Sequence, residues 1–228
     1  MPNLDAAKAK PMNRRIFFVL STVAAMLVAS LTFTAGRPAH AQTKPDVDVA
    51  ELMKPGTLPD NVVGNPDAPI TIIEYSSMTC PHCAAFHKEV LPELKTKYID
   101  AGKVKYILRE FPLDNVAVTA SMLARCVEPA KYLDFVDLLY TRQEAWAFKD
   151  EPLPELQKFA KQIGFTEDRF NQCIADPKAL EHINWVRDRG SKDFKVRSTP
   201  SFFVNGKRIK GAATIQKFDE LISAEAKS

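Results

Sequence analysis

Glycine is scarce in this chain, with eight in 228 residues and none between Gly102 and Gly164. That stretch carries helical spacing instead of the glycine turns that hairpins need. A charge excess of one sign is also missing. The 31 Lys and Arg against 28 Asp and Glu give +3, but residues 1–41 hold Lys8, Lys10, Arg14, Arg15 and Arg37 against the single Asp5. The remainder, with 26 basic and 27 acidic residues, stands at −1. A near-neutral chain gives no electrostatic case for nucleic acid. Cysteine is limited to four residues, and only one C-x-x-C pair occurs. A structural zinc site wants two further ligands at short spacing, which disfavours zinc. Copper(I) needs only two thiolates and stays open, with His82 or His87 as a further candidate ligand.

What is present centres on Cys80-Pro81-His82-Cys83. The apolar run Ile70 to Tyr75 leads in and reads as a central strand buried on both faces. Phe86, Val90, Leu94 and Tyr98 recur at four-residue spacing behind it, which predicts a helix bent at Pro92. The pair therefore sits where a strand gives way to a helix. The first N–H groups of a helix have no internal partner and favour an anion, so Cys80 is the candidate nucleophile. Cys83, one turn on, can attack a disulfide formed at Cys80. His82, when cationic, would stabilise the same thiolate; otherwise it is an exposed residue at the helix start. His87 reads as a surface residue.

Along the chain, residues 1–41 have the form of an export signal. Arg14-Arg15 precede an apolar run from Ile16 to Ala35, then a small-x-small site at Ala39-His40-Ala41, placing the mature N-terminus at Gln42. The run is nearly long enough to span a bilayer, so an uncleaved anchor is the alternative. Either way the rest of the chain is expected outside the cytoplasm, in the periplasm. Residues 42–69 are polar and proline-scattered, an arm or linker in which Val47 to Met53 can form a short helix. Residues 70–113 read as strand, helix and a second, parallel strand near Val104 to Leu108. Residues 114–195 read as a helical block, with helix starts at Thr166 and at Asp176-Pro177. Residues 196–228 return to α/β: a strand at Phe202 to Val204, a two-residue turn at Asn205-Gly206, and a last helix capped by Thr214.

The C-P-H-C tetrapeptide after a strand, with Ser198-Thr199-Pro200-Ser201-Phe202 far downstream, resembles the DsbA-like thiol–disulfide oxidoreductases of the thioredoxin superfamily. The resemblance covers the chain from about Pro69 onward. It implies an α/β, thioredoxin-like fold with an inserted helical domain, and an enzyme that oxidises dithiols of exported proteins without a cofactor. It implies a membrane quinone-linked partner that restores the Cys80–Cys83 disulfide. It also implies that Thr199-Pro200 is a cis pair facing that disulfide and binding extended substrate; Thr199 departs from the best-known pattern, which has valine. Glu74, in the middle of an apolar strand, matches the acid that such proteins place beneath the second cysteine as a proton relay. The alternative is a side chain reaching solvent at the strand end.

Four cysteines in an exported chain permit three pairings. Cys126 and Cys173 fall on apolar helical faces of the inserted block and read as a structural disulfide, with two buried free thiols as the alternative. An isomerase or reductase of the same fold is the nearest rival function. Isomerases of this superfamily generally carry a second domain that builds a dimeric cleft, and residues 42–69 look too short to supply one.

Overall fold

The computed structural model describes residues 45–226. The export signal and cleavage site expected within residues 1–41 lie outside them.

A five-stranded sheet forms the centre; with β1 at Asn61–Val63, the order is β1-β3-β2-β4-β5. β2 (Ile70–Ser76) and β3 (Val104–Glu110) pair in parallel, as the sequence predicts. β4 (Ser201–Val204) runs antiparallel to β2, and β5 (Lys207–Arg208) antiparallel to β4. The β4–β5 turn is Asn205-Gly206, with φ of +44° and +81°. This is the left-handed pairing that a two-residue hairpin requires and that Asn-Gly adopts at little cost.

Side chains alternate along β2. Ile70, Ile72 and Glu74 face one side of the sheet, Ile73 and Tyr75 the other. The first side packs on the helices α2 (Pro81–Glu89), α3 (Leu91–Leu94) and α10 (Ile215–Glu225) through Phe86, Leu94 and Phe218. Phe86, Phe202 and Phe218 meet with ring centroids 4.5 to 5.9 Å apart, tying α2 and α10 to β4. Each such pair adds about 1 kcal/mol beyond area burial. The second side is covered by Leu52, Phe111, Val186, Phe194 and Val196.

Pro92 acts as its chemistry requires. α2 stops at Glu89, Val90 stays right-handed but is distorted to φ −113°, and α3 restarts before a π-turn at Lys95–Ile99. Between β3 and β4 come six α-helices: α4 (Asn115–Arg125), α5 (Tyr132–Thr141), α6 (Gln143–Trp146), α7 (Pro152–Gln162), α8 (Glu167–Ile174) and α9 (Pro177–Lys192). Thr166 and Asp176 cap α8 and α9 through their side chains. Thr214 stands at the start of α10, but its hydroxyl makes no cap bond. There the Thr214 carbonyl accepts from Lys217 N–H at 3.0 Å, and the expected side-chain cap is not formed. Cys126 and Cys173 are joined by a disulfide linking the end of α4 to α8, with the Cα atoms 5.8 Å apart.

Two elements lie in the stretch read as an arm. Val49–Met53 is a helix, α1, capped by Asp48. Asn61–Val63 is a strand, β1, paired antiparallel with β3. The arm is pinned further by Arg109, which donates to Asp60 at 2.8 and 3.0 Å and to the Leu52 carbonyl at 2.7 Å. Among the described residues no helix is long and apolar enough to cross a membrane.

Candidate active site

Cys80 is the N-cap of α2, extended at φ −83° and ψ 119°, and Pro81 fills the first helical position. A proline there sacrifices no helical bond and presets the turn. Cys80 is 5 % exposed and Cys83, one turn on, is fully buried. Both are free thiols, so the site is in its dithiol form.

The two sulfurs are inequivalent. Donation from the Cys83 thiol is the largest influence on Cys80; burial opposes it, and Thr199 and the backbone N–H groups of Cys83 and His82 add to it. Together they lower Cys80 to about 5. Burial pushes Cys83 strongly the other way, reinforced by its bond to Cys80 and by the Glu74 charge. One sulfur is therefore a thiolate near neutral pH, and the other keeps its proton. The His82 ring is exposed, and this residue acts on Cys80 through its backbone N–H.

Thr199–Pro200 is a cis peptide, and its loop lies against the cysteine. The Cys80 sulfur lies 3.3 Å from the Thr199 carbonyl, to which it donates only when protonated, across 119 positions of sequence. Thr199 Oγ1 is buried with no hydrogen-bond partner among the described residues, leaving its hydroxyl available to the Cys80 thiolate. Beside this loop runs a groove of about 720 Å³ lined by His82, Phe86, Pro200, Phe202 and Ile209. Thr199→Val removes the hydroxyl while keeping the side-chain shape. A hydrogen bond to a charged group is worth about 1.5–3 kcal/mol, so the Cys80 pKa is expected to rise by about one to two units. Thiolate absorbance followed against pH in the reduced variant measures it.

Glu74 is completely buried. Its Oε2 accepts from the Tyr106 hydroxyl and lies 3.2 Å from His87 Nε2. His87 corrects the sequence reading: it is 5 % exposed, not on the surface, with Nδ1 2.6 Å from Asp137 Oδ1. α2 packs against α5 on this side, and the position four after Cys83 necessarily shares its inward face. Held between two carboxylates, His87 is also not a ligand for a metal at the cysteines.

Gln143 went unnoticed in the sequence. Buried on α6, it donates Nε2 to the carbonyls of Met78 at 2.8 Å and Cys80 at 3.1 Å, fixing the loop that enters α2. No local signal marks it, because the contact depends on how the inserted helices dock.

A family model for thioredoxin matches residues 57–224. A Rickettsia bellii protein named as a protein-disulfide oxidoreductase is 36% identical over 166 residues, covering 72% of this chain and 64% of that protein. The chain thus spans a little under two thirds of the length of the first curated relatives it matches. Among solved structures, Wolbachia pipientis alpha-DsbA1 superposes with a TM-score of 0.72 at 34% identity, covering 79% of this chain and 97% of that one. The thiol-disulfide exchange protein alpha-DsbA2 of the same organism gives 0.58 at 26% identity, covering 77% and 88%.

Proposed function

This chain belongs to the thioredoxin family, as a DsbA-like member, and from that premise we propose that it is an exported protein thiol–disulfide oxidoreductase working as an oxidant. The observation that carries the direction is the unequal pair. A dithiol whose outer sulfur is stabilised as thiolate is preferred over its disulfide, so the disulfide is readily given away.

In the forward reaction a substrate thiolate attacks Cys80 Sγ, the Cys80–Cys83 bond breaks, and Cys83 leaves and takes a proton. The substrate's second thiolate then attacks its own sulfur in the mixed disulfide and releases Cys80 as thiolate. Two electrons pass from substrate to enzyme, and the substrate gains a disulfide. The Thr199 loop and adjoining groove would hold the substrate extended during both steps. Glu74, buried beneath Cys83, is the group assigned to exchange the Cys83 proton. Substrates are reduced exported proteins. The place is the periplasm, and a membrane quinone-linked partner would reoxidise the pair. Catalysed oxidative refolding of a reduced, multi-cysteine protein by the oxidised enzyme tests the direction; faster reduction than oxidation of that substrate would reverse it.

The same asymmetry predicts a pH-dependent order of stability. A thiol lowered from 9.0 to about 5 stabilises the fold above its unfolded value, and loses that contribution as pH falls through 5. At pH 7 this is worth about 3 kcal/mol to the reduced form. The disulfide closes a loop of four residues and offsets it with about 2 kcal/mol in the oxidised form. The reduced protein is expected to melt above the oxidised one at pH 8, with the order reversed at pH 5, as calorimetry of both forms would show.

A further inference from the structure

The Glu74 carboxylate belongs to a row of charged groups that runs out to the surface. His87 and Glu74 side chains are 1 % and 0 % exposed, whereas Asp137, on α5 of the inserted block, is 38 % exposed. Tyr140 closes the remaining side, its ring centroid 4.3 Å from that of His87 and its hydroxyl 2.6 Å from Ser76 Oγ. His87 is thus faced by Glu74 from β2 and by Asp137 and Tyr140 from α5, with Tyr106 of β3 donating to the same Glu74 oxygen, Oε2, that faces His87. Glu74 Oε1 has no hydrogen-bond partner among the described residues.

We propose that His87, anchored by Asp137, is a positioning residue for the Cys83 step: its imidazolium is the buried counter-charge that keeps Glu74 a carboxylate, able to accept the Cys83 proton. This rests on the thiol–disulfide reading above. A carboxylate buried without a cation takes up a proton instead of staying charged. Such a group, already protonated, cannot act as a base. Burial alone would discharge the imidazole too, but the two flanking carboxylates outweigh it and bring His87 up to about 9. Each helix supplies half of the couple, so docking of the inserted block onto α2 completes it. When the disulfide is restored, the Cys83 proton passes to Glu74 and the Cys83 thiolate attacks Cys80 Sγ in the mixed disulfide. The Cys80–Cys83 bond forms, the partner's sulfur departs as thiolate, and His87 and Asp137 keep their charges throughout.

Stopped-flow mixing of the reduced protein with oxidised glutathione, acid-quenched for mass spectrometry, separates glutathionylation of Cys80 from closure by Cys83. In the unaltered protein, closure is expected to vary little from pH 5.5 to 8. His87→Gln is expected to slow closure at least tenfold at pH 6, with the deficit shrinking as the pH is raised. His87→Lys restores a cation and should recover most of the rate at pH 6. Asp137→Asn, at a half-exposed position that the fold tolerates, should leave closure normal at pH 6 and slow it several-fold at pH 8, where His87 then loses its proton. Closure slowed equally at every pH in His87→Gln, or unchanged in both His87→Gln and Asp137→Asn, overturns the proposal. Absence of the first phase in the unaltered protein would instead overturn the thiol–disulfide reading itself.

Discussion

Replacing Cys80 by serine is expected to bring exchange down to the uncatalysed rate, a loss on the order of 10³-fold or more, as when an enzyme loses its nucleophile. Serine keeps the shape of the N-cap, so the fold should be unaltered. Cys83→Ser should behave differently, since Cys80 retains its thiolate stabilisation from Thr199 and the backbone N–H groups. That variant is expected to accumulate mixed disulfides at Cys80, because no second sulfur is present to release them. Intact-mass spectrometry after incubation with a disulfide-bonded peptide, whose second sulfur leaves as thiolate when Cys80 attacks, distinguishes the two. Equal activity in the two variants would mean that the cysteines are interchangeable, contrary to the burial of Cys83.

Removing the second disulfide is expected to cost stability and leave the chemistry untouched. Cys126 and Cys173 are 47 positions apart, and closing a loop of that length constrains the unfolded chain by about 4 kcal/mol. At roughly 2–4 °C per kcal/mol for a chain of this size, the Cys126→Ala/Cys173→Ala double variant should melt about 8–15 °C lower. Its exchange rate per folded molecule should match the parent. The bridge joins α4 to α8, neither of which carries Cys80, Cys83 or the Thr199 loop. Differential scanning calorimetry and a turnover assay at low temperature read the two quantities separately.

Features encoded by local chemistry were legible in the sequence, and features that depend on docking were not. Cys80 and Pro81 signal a helix start wherever they occur after an apolar strand, and Asn205-Gly206 specifies its own turn. Thr199-Pro200 became interpretable through family resemblance, since a cis bond needs a context that the dipeptide does not contain. β1 escaped notice because Asn61–Val63 is too short for an alternation to register, and its pairing is set by β3. His87 shows the limit from the other side. Its four-residue spacing from Cys83 carried the information that both lie on one face. The polar character of histidine, together with neighbours Lys88 and Glu89, pointed to solvent. Burial was decided by Asp137, fifty residues downstream, arriving to hold the ring. Glu74 could be singled out as a charge in an apolar strand, yet its partners, His87 of α2 and Tyr106 of β3, came from two other elements.

The central claim, that unequal stabilisation of Cys80 and Cys83 makes this pair an oxidant, is tested most directly by its redox equilibrium with glutathione at pH 7. Fractions of oxidised and reduced protein, trapped by acid and alkylation across a series of buffer ratios, yield the reduction potential. A value less negative than about −200 mV is predicted, in the range of oxidising members of the superfamily. A value near −270 mV, typical of thioredoxin-like reductants, would contradict the account.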